Sequence, residues 1–151
     1  DVHFRDAKCS DSRRIWEWRR AMDVSFSMMG NDTPFDRHDL WFRKALDSSD
    51  RFFRIMMIGN LACGYLRLDR ENNRCARVSI CLSPDIRGRG LSHRLLEEAS
   101  RLGACHGITR LNAEIHPLNR ASRRVFDRGG YIQSGTINEF LTFQRMLEEV
   151  S

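Results

Sequence analysis

The sequence predicts a mixed α/β (α+β) sandwich, and three observations predict it. Several short runs alternate apolar and polar residues with the period of a strand. Others repeat apolar residues every three or four positions, the period of a helix. Read in order, these runs give strand, two helices, three antiparallel strands, helix, strand, helix and two strands. Seven strands and four amphipathic helices bury their apolar faces most simply as a layered α/β structure.

Val2 to Arg5 is a short strand, and Ser10-Asp-Ser12 offers capping oxygens ahead of a helix through Ile15-Trp-Glu-Trp-Arg-Arg-Ala-Met22. Ser27 to Thr33, with Gly30 and Asn31, reads as a loop. Pro34 opens a second helix in which Leu40, Trp41, Ala45 and Leu46 recur at helical spacing through Asp47. Arg51–Ile58 and Leu61–Leu68 flank Gly59-Asn60 as a hairpin. After a polar break over Asp69–Asn73, Val78, Ile80 and Leu82 alternate with Arg77, Ser79 and Cys81, and Pro84 ends that strand. From Leu91 the period changes, with Leu91, Leu95, Ala99 and Leu102 on one helical stripe. Beyond Gly107 a fifth strand places Leu111, Ala113 and Ile115 on one face and Asn112, Glu114 and His116 on the other. Asn119–Arg128 is a helix closed by Gly129-Gly130, and Tyr131–Asn138 and Phe140–Leu147 are the last two strands.

At 151 residues and 41% hydrophobic content, the chain suits one domain over 1–151 that folds without metal or disulfide staples. Its formal charge of +5 comes from an arginine-heavy set and suits a polyanionic partner such as a nucleotide or phosphorylated cofactor. Five cysteines, none in the paired short spacing of a zinc site, read as reduced thiols of a cytoplasmic protein with no bound metal. No apolar run has the length of a membrane span, and Asp1-Val-His-Phe-Arg5 lacks the apolar core of a secretory signal, so a soluble protein is expected.

The chemistry concentrates at Arg87-Gly88-Arg89-Gly90-Leu91-Ser92, between a strong strand and a strong helix. Backbone amides converging at a helix N-terminus make an anion cradle, glycine allows close approach at positive φ, and arginine adds charge-assisted contacts. Taken alone, a Gly-x-Gly turn also serves merely to reverse the chain.

In context the stretch Val78–Leu102 resembles the cofactor motif of the GNAT acetyltransferase superfamily, Arg/Gln-x-x-Gly-x-Gly/Ala, with Arg87, Gly90 and Ser92 at the marked positions. The stretch from Asn119 through Ser122 and Phe126 to Gly130-Tyr131 is similar to the second motif, Asn-x-x-Ala-x-x-x-Tyr/Phe-x-x-x-Gly-Phe/Tyr. Ser92 and Ser122 replace small residues of that pattern. The resemblance implies a GNAT fold: a mixed, mostly antiparallel seven-stranded sheet with helices on both faces and a splay between the fourth and fifth strands. It also implies acetyl-CoA as co-substrate. The pyrophosphate would rest on Arg87–Ser92, and the pantetheine arm would pair with backbone near Ile80, Cys81 and Leu82 and touch Asn119. Ser122 and Phe126 would lie beside it.

The implied reaction is direct attack of a neutral amine on the thioester, so a group must take the amine's proton. Glu114 is the candidate base, by its spacing from Asn119, which is similar to that in ribosomal-protein N-terminal acetyltransferases. A strand glutamate on a solvated face is the competing reading. His116 shares its face and titrates in the useful range. Many members carry a tyrosine that protonates the thiolate where this chain has Phe126, which has no proton to give. Ser122, Tyr131, water or unaided departure of the thiolate remain.

Trp16-Glu-Trp18-Arg19, Asp36-Arg-His38-Asp-Leu-Trp41 and Leu66-Arg67-Leu68-Asp69 look like the branch that acetylates nucleotide-linked amino sugars of the pseudaminic and legionaminic acid pathways. On that reading Trp18, His38 and Trp41 border the acceptor while Arg19 and Arg67 pair with a diphosphate. The same tryptophans also read as core-facing helix residues. A protein N-terminus or another small amine is the alternative acceptor, and the basic balance disfavours polyamines. A non-catalytic acyl-CoA or nucleic-acid module is a third reading, but one Arg-Gly-Arg-Gly unit without interleaved aromatics argues against nucleic acid. A monomer or homodimer is expected, with no membrane partner.

Overall fold

In the computed structural model, which describes residues 1–22 and 33–148, seven strands form one sheet in the order β1-β2-β3-β4-β5-β7-β6. The strands are β1 (Val2–Asp6), β2 (Arg51–Ile58), β3 (Leu61–Arg70), β4 (Cys75–Leu82), β5 (Arg110–Ile115), β6 (Ile132–Ile137) and β7 (Phe140–Met146). The helices are α1 (Ser12–Arg20), α2 (Phe35–Asp47), α3 (Ser92–Cys105) and α4 (Arg120–Arg128). Every pairing is antiparallel except that of β4 with β5. Of the loop expected over Ser27 to Thr33, all but Thr33 lies outside the described residues.

Strand parity sorts the apolar side chains into two cores. Phe53, Ile55 and Met57 of β2 pack with Tyr65, Cys81, Ile15 and Trp18 of α1, and Phe42 and Ala45 of α2. Met56, Leu66, Leu68, Val78, Leu111 and Ala113 turn the other way, onto Leu95, Leu96, Ala99 and Leu102 of α3 and Phe126 of α4. A β-strand presents successive side chains to opposite faces, so one sheet carries a helical layer on each side. The stripe expected on α3 is the buried one, with Leu91 packed at its edge.

Local chemistry moves some boundaries. A 3₁₀ turn over Cys9–Asp11 runs straight into α1, which starts at Ser12 rather than Ile15. The Asp11 carboxylate is spent within that turn and on arginines: it accepts from the Lys8 amide at 2.8 Å, from both Nη groups of Arg5 at 2.8 Å and from Arg14 at 2.9 Å. No side chain therefore caps α1. β3 extends through Arg70 and β4 begins at Cys75, so the expected polar break is shorter, with Asp69 opposite Arg77 and Arg70 opposite Ala76. The β6–β7 hairpin turns through Asn138 and Glu139 at φ 48° and 71°, the two positive values that a tight two-residue turn of matching twist requires.

The five cysteines are free thiols, with Cys63, Cys75 and Cys81 buried and Cys9 and Cys105 exposed. Among the described residues no helix is long and apolar enough to cross a membrane.

Candidate active site

β4 and β5 stay paired for three residues each. Cys75, Ala76 and Arg77 face Arg110, Leu111 and Asn112, and then the ladder ends while β4 continues to Leu82 and β5 to Ile115. The strands part, leaving a cleft of about 240 Å³ through the sheet. Val78, Ile80, Ala113 and Ile115 form its apolar throat, and Asn119, Ser122 and Phe126 of the α4 segment wall one side. On the α1 side lie Arg19, Met22, Tyr65, Arg67, Arg77, Ser79, Glu114 and His116. The expected splay is thus present, and the cleft opens towards both helical layers.

The turn feeding α3 lies beyond the C-terminal end of β4. After Pro84–Ile86 the chain passes through Gly88 at φ 79° and Gly90 at φ 73°, left-handed conformations that side chains with a Cβ resist. A Cβ at either glycine would meet nothing within 4 Å, so the requirement is conformational and the space in front of the turn is open. Among the described residues no acceptor takes the amides of Gly88, Gly90 or Leu91. His93 Nδ1 sits 2.6 Å from the Gly90 carbonyl, an oxygen that only accepts, which assigns the ring proton to Nδ1. Arg87 reaches the Ala21 carbonyl at 3.4 Å, and Arg89 is exposed. Unspent amides, the positive end of α3 and two guanidiniums fit a pyrophosphate. Half-buried Leu91 and Ser92 start the helix that supplies the dipole.

Asn119 caps α4, its Oδ1 accepting from the Ser122 amide at 3.1 Å, and so fixes the wall that also carries Phe126. Phe126 is buried edge-on to Tyr131, with centroids 4.9 Å apart. The Tyr131 hydroxyl is buried without a partner among the described residues, and burial raises its pKa well above the usual phenol value. Tyr131 stands behind Phe126 and does not line the cleft. Of the β4 residues expected beside the cofactor, Ile80 faces the cleft. Cys81 turns into the α1–α2 core, where burial pushes its thiol up to about 11, and Leu82 packs against the α3 core.

Glu114 and His116 occupy the acceptor-facing side. The Glu114 side chain is 15% exposed, its Oε2 accepts no hydrogen bond among the described residues, and Arg77 Nη1 stands 3.8 Å away. His116 Nδ1 accepts from the Leu118 amide at 3.1 Å, which leaves Nε2 as the protonated nitrogen of the neutral ring, and Phe140 packs edge-on at 5.7 Å. Arg67 is 9% exposed and gives Nε to Asp69 at 3.1 Å. Tyr65 beside it is pushed up to about 12 by burial. Trp41 buttresses this wall from outside the lining, its ring 5.1 Å from the Arg19 guanidinium and 5.2 Å from that of Arg67.

Two residues expected at the acceptor lie elsewhere. Trp18 is buried in the α1–α2 core, and His38 is buried with Nε2 on the Ser12 carbonyl at 3.0 Å and its ring stacked on Phe42. Burial, and then Arg19, hold the His38 pKa below the usual imidazole value. The indole and imidazole are the large flat groups that close the α1–α2 contact, and neither lines the cleft.

With this geometry, comparison with known proteins is decisive. The model of the acetyltransferase (GNAT) family matches residues 14–131. The chain belongs to the acetyltransferase (GNAT) family. A putative phosphinothricin acetyltransferase of Bacillus subtilis is 31% identical over 108 residues, a stretch that spans 68% of this chain and 65% of that relative. The spermidine N-acetyltransferase of Vibrio cholerae, solved with CoA and spermine, superposes with a TM-score of 0.85 at 15% identity, covering 96% of this chain and 95% of that one. A putative phosphinothricin N-acetyltransferase superposes with a TM-score of 0.83 at 20% identity, covering 99% and 100%. The expected GNAT fold stands with the family. Arg77, Tyr65, Ser79 and Met22 of this GNAT protein line the cleft without having been singled out from sequence. Arg77 and Ser79 were legible in principle, because they share the parity of Cys81 on β4, opposite the Val78–Ile80 face.

Proposed function

We propose that this GNAT protein transfers the acetyl group of acetyl-CoA to the primary amine of a small acceptor, by direct attack within the β4–β5 cleft. One observation carries the reading: a sheet that parts beside an amide-rich turn, with an unbonded buried carboxylate oxygen on the far side. When bound, acetyl-CoA supplies a thioester open to attack by an amine. The Arg87–Ser92 turn grips its diphosphate, the open edge of β4 near Ile80–Leu82 offers backbone pairing to the arm, and Asn119, Ser122 and Phe126 confine it. Glu114 Oε2 receives the amine's proton from the opposite face, and His116 lies one strand repeat away to relay it. Phe126 gives no proton, so departure rests on the inherent acidity of a thiol.

The acceptor reading follows the lining, which sets Arg19, Arg67 and Arg77 against one carboxylate, Glu114. Such a wall suits an amine that also bears an anion and opposes a polycation. A nucleotide-linked amino sugar belongs to that class, and so does phosphinothricin, for which the 31% identical relative is named. A thiol-release assay with acetyl-CoA tests this against phosphinothricin, UDP- and CMP-linked amino sugars, short peptides and spermine. Release with anionic small amines and none with spermine is expected. Release with peptides alone would replace the acceptor class.

A further inference from the structure

The acceptor end of the cleft holds opposite charges whose bonding capacity is unspent. Arg67 is nine-tenths buried, yet among the described residues its guanidinium makes one hydrogen bond, from Nε to Asp69, and both Nη groups are left over beside the cleft. Arg77 stands 3.7 Å from Asp69 Oδ2 and 3.8 Å from Glu114 Oε2, near enough for attraction and beyond hydrogen bonding, so it donates to no described acceptor. Glu114 Oε2 is buried and accepts nothing among the described residues. Buried polar groups are ordinarily paired, because leaving them unpaired forfeits their hydration.

Strand register brings these groups together. Arg67 pairs with Ser79 across β3–β4, and Arg77 pairs with Asn112 across β4–β5, two residues before Glu114. The shared contact with Asp69 Oδ2 ties the two arginines to one spot. An amine on Glu114 and an acid group on Arg77 would each sit about 3 Å from its partner, and the partners are 3.8 Å apart. The reacting amine and the anion then lie within a few bonds of each other.

Resting on the acetyl-transfer reading above, we propose that the acceptor is a small zwitterion of the amino-acid type, whose acid group is held by Arg67 and Arg77 while its amine faces Glu114. A diphosphate many bonds from the amine, as in a nucleotide-linked sugar, does not meet this spacing. Arg67 and Arg77 are the residues that set specificity.

The test measures binding of the common L-amino acids, each against its carboxamide, to the CoA-loaded protein by calorimetry, with thiol release followed separately. The carboxamide keeps the amine and removes the carboxylate's charge, with binding compared at a pH where both amines are protonated. At least one amino acid is expected to bind roughly tenfold to a hundredfold more tightly than its amide. Arg77→Gln, at a half-exposed site, should erase that preference, as should Arg67→Gln if the buried site tolerates it. Equal binding of acid and amide, or a preference untouched by Arg77→Gln, would overturn the proposal. A charge preference that Arg77→Gln removes, without thiol release, would keep the subsite and sink the transfer reading. Thiol release from amines lacking a nearby acid, unchanged in both variants, would sink the subsite and keep the transfer reading.

Discussion

Arg77 Nη1, on the last paired residue of β4, faces Glu114 Oε2 at 3.8 Å, two residues past the last paired residue of β5, where the sheet opens. Arg77 lies at ion-pair distance from the glutamate, whose Oε2 accepts no hydrogen bond among the described residues. Glu114→Gln keeps the shape and removes the proposed proton acceptor. Turnover should fall by roughly 10²- to 10⁴-fold, with acetyl-CoA affinity unchanged. Steady-state kinetics beside calorimetry of CoA binding separates the two effects, and wild-type turnover in the variant would eliminate Glu114 as the base.

Gly90 holds φ 73° at the turn before α3. Gly90→Ala should cost about 1–2 kcal/mol through that backbone angle, whereas Gly90→Glu also sets a negative charge against the phosphates. The rise in Tm that saturating CoA gives the wild-type protein should shrink in the first and vanish in the second. Thermal melts with and without CoA read this directly.

A Cβ on Gly64 would stand 2.7 Å from the Cys81 carbonyl oxygen, a backbone atom of the neighbouring strand. Gly64→Ala therefore pushes β3 away from β4 at the strand whose free edge borders the cleft. The expected loss is about 1–3 kcal/mol of stability by denaturant titration, with weaker CoA binding in the variant that still folds.

Acid should unfold the protein partly through Asp11 and Glu98. Burial alone would raise both carboxyl pKa values. For Asp11, the bonds from Arg5 and the Lys8 amide, with Arg14 near, outweigh burial and hold it below the usual range. Arg101 and Arg54 do the same for Glu98. A folded-state pKa below the unfolded one stabilises fully above the unfolded value, about 4, and that contribution disappears as pH falls through the lower folded values. Asp11→Asn and Glu98→Gln should each lower the Tm at pH 7 and flatten its fall below pH 4.

Much of this was legible because two periodicities differ so clearly. Leu95, Ala99 and Leu102 declare a helix and Val78, Ile80 and Leu82 a strand, with the glycine-bearing turn between them. The break assigned to Asp69–Asn73 was too long, since charge argued for a loop while Asp69 and Arg77 neutralise each other as cross-strand partners. Trp18 and His38 show the converse limit. Their spacing resembled a ligand motif, but which face of a helix meets the sheet is decided by tertiary packing. Arg77 went unremarked because its importance depends on where a ladder stops, a property of two strands separated by some thirty residues.

Because the opening runs through the sheet, the proposed reaction gives donor and acceptor separate doors. On the function proposed above neither has to leave before the other enters, and among the described residues no cysteine lines the cleft to carry the acyl group. Double-reciprocal plots at several fixed donor concentrations should therefore cross rather than run parallel.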